Sequence, residues 1–372
     1  MFDLTSSRTK IPSVILLLLL GWTVKQLAVW FGILLPDFSP VLPVLGTVGL
    51  VLIVLEGSLE LELNKSKFGL IRKSFLGALL PMIALAFLLA FSFRYFGNFS
   101  LKDSLINAIP FCVISSAIAI PSVRNLTSQN REFVIYESSL SDISGVLIFN
   151  FLVMNETIET SSFGNFALQL MIIAVVSFIA TIGLSFLLSK IEHHIKFVPI
   201  ILLVVLIYAV SHIYHLPALI FILLFGLSIG NLDELKKIKW IEKFKPEELN
   251  KEVKKFKELT IEGAFIVRAL FFLLFGYLIE TTEVMNADTF LWAIGIVFLI
   301  FTFRAIQLKL SKLPLLPLLF VAPRGLITIL LFLSISPDHT IPLVNNSLII
   351  QVIILTALLM MIGLMTNKSQ EQ

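Results

Sequence analysis

Charge is what this chain of 372 residues has least of. Only 14% of its residues are Asp, Glu, Lys or Arg, against about 25% in soluble domains, while 57% are hydrophobic. That balance excludes a soluble globular protein and leaves a polytopic membrane protein. Cysteine is almost absent as well. A lone Cys112 excludes an intrachain disulfide and any paired-thiol motif. The five histidines meet neither cysteines nor carboxylates at metal-ligand spacing, and His193-His194, beside Lys190 and Lys196, reads as a solvated link. No nucleophile–base arrangement appears, so neither an enzyme nor a cofactor is expected. A net charge of +3 is too small to point to nucleic acid.

What is present is a series of long apolar runs. At about 20 apolar residues per helix, twelve spans are predicted: 11–31, 41–63, 74–96, 103–124, 131–154, 165–189, 196–213, 216–231, 259–280, 289–308, 313–335 and 344–366. The first run is too long for a signal peptide and lacks a small-x-small cleavage site. Basic residues then set the orientation. Arg8 and Lys10 precede the first span. Alternate connections carry Lys65, Lys67, Arg72 and Lys73, then Arg124 and Arg131, then Lys190 and Lys196, then Lys309 and Lys312. The connection 233–258 holds nine lysines and reads as an amphipathic helix on the inner surface. The intervening connections are acidic or nearly neutral, with Arg94 and Lys102 the exceptions. Both termini are therefore expected in the cytoplasm, in the inner or plasma membrane.

The halves carry a weak internal symmetry. LVLIVLEGSLELEL of the second span resembles RALFFLLFGYLIE of the ninth, and a break at AIAIPS in the fourth matches one at FVAPRG in the eleventh. An offset of seven spans makes the repeats inverted, with two broken helices crossing near the middle of the bilayer. The expected fold is all-α, polytopic, with about twelve helices in two inverted repeats.

The chemistry is expected at the fourth and fifth spans, in ISSAIAIPSVRNLTSQNREFVIYESSLSDISGVLIFN. A carboxylate within the hydrocarbon layer is costly, and is a functional-site hypothesis by default. Asp142 lies twelve residues into its span, roughly 18 Å along the axis. Burial favours a neutral carboxyl and a bound cation favours the charged one, so a single group holds a proton or a cation in turn. The plainer alternative is a structural partner to an arginine. Ser138, four residues earlier, shares its face and offers a hydroxyl ligand. Glu137 is five residues before Asp142, roughly 140° round the helix, and so faces elsewhere. Of the buried arginines Arg324, Arg304 and Arg268, Arg324 follows the break in the eleventh span and is assigned as its ion-pair partner. Arg304 reads either as a snorkelling side chain or as a functional one. Glu56 is either an entry-funnel carboxylate or a partner for Arg268, and Lys25 is expected to snorkel outward.

These residues resemble a known family. KIPSVILLLLLG, LEGSLELEL, ALFFLLFGYLIE, TFRAIQ and VAPRGLIT are similar, in that order, to motifs of the monovalent cation:proton antiporter superfamily. YESSLSD resembles the GESLLND signature of its sodium/proton exchangers, with the same step from Glu137 to Asp142. The resemblance implies an elevator-type transporter. Its core would be spans 74–154 and 289–366, its scaffold and dimer spans 11–63 and 216–280, in a single transmembrane domain. It makes Asp142 the ion-binding carboxylate, Ser138 a ligand and Glu137–Arg324 the structural pair, and it aligns Arg304 with a basic position of the tenth span. Ser141 stands where other members have Asp or Asn, which leans toward one-for-one exchange. Ala119-Ile120-Pro121 stands where the exchangers have Thr-Asp-Pro, so the aspartate is missing, and SSAIAI instead looks like the SSTA run of Kef-type potassium efflux systems. The expected function is sodium (or lithium)/proton antiport by a homodimer in a lipid bilayer. Potassium/proton antiport is the alternative, and a non-transporting scaffold or sensor on the same fold is the alternative of another class.

Overall fold

A computed structural model describes residues 13–33, 37–38, 40–61, 65–156, 159–190, 197–213, 218–231 and 246–366. Among these, the regular elements are helical and no strand occurs. That follows from the solvent, because a backbone in hydrocarbon must satisfy its own N–H and C=O groups. Ten long helices correspond to the predicted spans: Ser13–Trp30, Val41–Glu60, Phe68–Gly97, Ser128–Met154, Thr160–Lys190, Phe197–Ile213, Ala218–Gly230, Pro246–Leu278, Ala287–Leu310 and Asn346–Thr366. The fourth and eleventh spans complete the set, and both are broken. The seventh and eighth are the short ones, and their junction at His215 and Pro217 lies outside the described residues. So do Arg8, Lys10, His193, His194, Lys196 and the last residues of the chain.

The connection before the ninth span differs from its expected form. Residues 233–245 lie outside the described residues. From Pro246 onward the chain is a single helix to Leu278, 33 residues long, so 246–258 extends a span rather than forming a separate helix. No helix-breaking residue intervenes between Pro246 and Gly263. Extending a helix costs far less than nucleating a second one.

The chain clusters into two compact units. One comprises Met1–Thr47, Ile71–Phe149 and Arg268–Gln372; the other comprises Val48–Leu70 and Asn150–Val267. In the second, the eighth span lies on the second through small residues. A Cβ on Gly226 would stand 2.8 Å from Ser58 Cβ, and one on Gly230 would stand 3.0 Å from Leu59 O. Asn231 then donates from Nδ2 to Leu61 O at 2.8 Å. In the first unit, spans 1 and 9 cross backbone to backbone. A Cβ on Gly21 would sit 2.7 Å from Tyr277 N, and one on Gly276 would sit 2.7 Å from Leu18 Cα. Small residues permit such crossings where dispersion replaces the hydrophobic effect as the driving force. The first unit also holds all four charged side chains that are buried among the described residues, Glu137, Asp142, Arg304 and Arg324.

Candidate functional site

The fourth span starts as Leu101–Ala108, tightens into a 3-10 turn at Ile109–Phe111, leaves helical geometry, and resumes as Ser116–Ser122. The eleventh does likewise, with a turn at Leu318–Phe320, an irregular stretch, and then Leu326–Leu333. The two breaks meet: Ser115 N–H donates to Pro323 O at 2.9 Å. Gly325 makes room for this, since a Cβ there would lie 2.6 Å from Ile118 Cδ1 and 3.0 Å from Ser115 Oγ.

The break in the fourth span is expected at Pro121 but falls earlier, between Phe111 and Ser116. Pro121 is accommodated inside the short second half. The interruption comes from outside the helix, because the N–H groups that would continue it are taken by neighbours. Ile114 N donates to Ser141 Oγ at 2.9 Å, Ser115 N to Pro323 O, and Ser116 N to Asp142 Oδ2 at 3.2 Å. Unpaired backbone groups are expensive in this setting, and the fifth span supplies two of the three acceptors.

Asp142 is 2% exposed. Its Oδ2 accepts from both the backbone N–H and the hydroxyl of Ser116. Its Oδ1 is buried and has no hydrogen-bond partner. The Ser115 hydroxyl is buried without a partner as well. Ser138, one turn before Asp142, is fully buried and donates to Val134 O at 2.7 Å. A donating hydroxyl keeps its oxygen lone pairs for a cation. Ala119 is fully buried on the second half of the fourth span. Gly145 lets the fifth span approach the break, where a Cβ would meet Val113. The assembly is thus one half-satisfied carboxylate bound to a serine hydroxyl, suited to a hard monovalent cation or a proton.

The expected Glu137–Arg324 pair is not formed. Glu137, 1% exposed, is bound by Arg304: Arg304 Nη1 lies 2.5 Å from Glu137 Oε1, and Gln307 Nε2 donates to the same oxygen at 3.0 Å. Arg304 also donates to Gln307 Oε1 at 2.9 Å and to Leu318 O at 3.2 Å, and it lies 6.0 Å from the Phe133 ring centroid. Far from snorkelling, it is 3% exposed. Arg304 and Gln307, three apart, share a helix face and so reach the same carboxylate. Arg324 is held by carbonyls instead: Phe111 O at 2.6 Å, Ala322 O at 2.9 Å and Cys112 O at 3.5 Å. Phe111 and Cys112 end the first half of the fourth span, where orphan carbonyls carry partial negative charge, so the guanidinium caps that half-helix. Thr356 of the last span accepts the Arg324 N–H at 3.1 Å. Glu56 and Arg268 are half-buried on the second and ninth spans. Lys25 meets Glu280 Oε1 at 2.6 Å.

Sequence reasoning missed Ser116, Gln307 and Thr356. The doubled serine at the break was the available signal for Ser116, and the three-residue step from Arg304 was the signal for Gln307. Thr356 had none, since it lies mid-span in an apolar run.

Three comparisons bear on this geometry. The chain matches the family model described as sodium/hydrogen exchanger, transmembrane, over residues 1–367. No curated protein sequence matches it. Its fold is similar to that of the sodium proton antiporter MjNhaP1 from Methanocaldococcus jannaschii at pH 8, with a TM-score of 0.67 and 16% identity over 97% of this chain and 91% of that one. An electron-microscopy structure of the same antiporter matches with a TM-score of 0.66 and 17% identity, over 99% of this chain and 94% of that one. The family match runs through every span and through the crossed breaks that hold Asp142, and the chain therefore belongs to the sodium/hydrogen exchanger family of multi-pass cation/proton antiporters.

Proposed function

We propose that this protein exchanges sodium or lithium for protons across the cell membrane, one for one, with Asp142 as the group both ions share. The observation that carries the reading is the unpartnered Oδ1 of a buried Asp142. Of the four charged side chains buried among the described residues, Glu137 already has Arg304 and Arg324 is committed to carbonyls. Of the two carboxylates among them, Asp142 is the one with no cationic partner at hydrogen-bond distance. A single carboxylate neutralised by either a proton or a monovalent cation favours electroneutral exchange. Ser138, Ser141 and Ala119 are assigned as the neighbouring ligand positions, and the Ser116 hydroxyl bonded to Oδ2 supports the assignment. Alternating access would come from elevator movement of residues 74–154 and 289–366 against a scaffold of 11–63 and 216–280, in a homodimer with both termini in the cytoplasm.

Potassium is the second reading, and the SSAIAI segment favours it, since apolar residues at Ala119-Ile120 stand where the exchangers carry an additional carboxylate. Proteoliposomes with an imposed pH gradient, challenged in turn with sodium, lithium and potassium, separate the two. Sodium or lithium should dissipate the gradient, and Asp142→Asn should abolish that response while leaving the protein folded. Normal exchange by the variant refutes the assignment. Silence toward all three cations in the native protein would leave the scaffold or sensor reading.

A further inference from the structure

A cavity of about 310 Å³ lies within the first compact unit, between the first span, the end of the ninth with the turn after it, and the last span. Leu18, Trp22, Ile279, Met285, Ile353 and Leu358 are among its walls. It opens sideways: Leu19 at 53% and Met285 at 79% exposure stand on its rim. The lining is hydrocarbon throughout except for the Thr281 hydroxyl, and that hydroxyl is engaged by the Trp22 indole N–H at 3.1 Å.

One end carries a polar collar. Lys25 Nζ reaches the carbonyl of the lining residue Ile279 at 3.4 Å and Glu280 Oε1 at 2.6 Å. The lysine side chain is 18% exposed and the glutamate 61%. A cation, an anion and an indole at the head of an apolar slot form a pattern with a natural occupant. Water is excluded, because a pocketed water needs polar partners. Emptiness forfeits dispersion contacts along every wall. The volume matches that of small-ligand sites, and the surrounding solvent is lipid.

We infer that this cavity binds one acyl chain of a zwitterionic phospholipid, whose phosphate sits on Lys25 and whose amine faces Glu280. The adjacent opposite charges complement such a headgroup in both sign and order. The bound chain would make the walls of the three helices continuous without fixing them to one another, because hydrocarbon contact is non-directional.

The test uses the full chain in vesicles of phosphatidylethanolamine carrying a photoreactive group on one acyl chain, with the labelled peptides mapped by mass spectrometry. Labelling should concentrate on residues 14–22 and 353–358. Leu358→Trp and Ile15→Trp, which fill the slot from opposite walls, should each remove it. Phe178→Ala, on an exposed face of the sixth span, should leave it unchanged. Lys25→Ala should lower the labelling while the slot remains open. Label spread evenly over exposed faces of the native protein overturns the inference. So does label that persists in filled, folded variants. Loss of a dimer in those variants, with no lipid label in the native protein, identifies a second copy of the chain as the occupant and overturns it as well. If neither filled variant folds, the native labelling pattern alone decides.

Discussion

Which arginine neutralises Glu137 can be decided energetically. Replacing Arg304 by Leu removes its bonds to Glu137, Gln307 and Leu318. It strands a carboxylate that is 1% exposed, with only the Gln307 amide left at 3.0 Å. Breaking a buried ion pair from one side costs about 3–5 kcal/mol, because the surviving charge is uncompensated. Glu137→Leu should cost a similar amount, since Arg304 then keeps only neutral acceptors. The double variant removes both charges, and an apolar replacement of a buried pair is often close to neutral. It should therefore recover most of one single-variant loss, with a coupling of about 3 kcal/mol. The matching cycle with Arg324→Leu should show little coupling, about 0.5 kcal/mol or less, because Arg324 is bonded to carbonyls rather than to Glu137. Unfolding in detergent, followed by denaturant titration and size-exclusion chromatography, gives both cycles. Strong coupling of Glu137 to Arg324, or additive losses for Glu137 and Arg304, would refute the pairing.

Other consequences are separable from that one. Ser116→Ala removes a hydroxyl donor from Asp142 but keeps the backbone N–H donor, so folding should hold while the cation KM for exchange rises; an unchanged KM argues against a role for Ser116 at the site. Gly77→Ala would place a methyl 2.6 Å from Gln307 Nε2 and 3.3 Å from Glu137 Oε1, and should destabilise by about 1–3 kcal/mol, the usual cost of overpacking, readable as a lowered unfolding midpoint. Gly276→Ala presses on the backbone of Leu18 and should lower folded yield more than Gly183→Ala, where a Cβ meets nothing within 4 Å. Disrupting the half-exposed Asp103–His339 contact, 2.7 Å long, with Asp103→Asn should cost no more than about 1 kcal/mol, as partly solvated pairs do; a larger fall in unfolding midpoint contradicts that view.

The number and limits of the spans were legible because hydropathy over about 20 residues is a local property. The ninth span's helix starts earlier than its apolar run, because helix propagation ignores the membrane boundary and continues through a polar sequence that lacks a breaker. The burial of Asp142 was legible for a similar reason: a carboxylate inside an apolar run signals its own cost. Pro121 misled because proline is only one way to interrupt a helix. Here the interruption is made by Ser141, Asp142 and Pro323, which lie elsewhere along the chain and take the N–H groups the helix would have used.

The amino-acid sequence by itself determined that this chain crosses a membrane repeatedly, that two of its spans are broken, and that an acid is buried within the fifth span, since each of these follows from residues adjacent in the chain. Only the tertiary structure decided the partners. Glu137 goes to Arg304 rather than Arg324, and Asp142 goes to Ser116, because pairing depends on which side chains the crossing of the breaks brings within about 3 Å of each other. A guanidinium is satisfied equally well by a carboxylate or by the open carbonyls of a half-helix, and spacing along the chain does not distinguish the two.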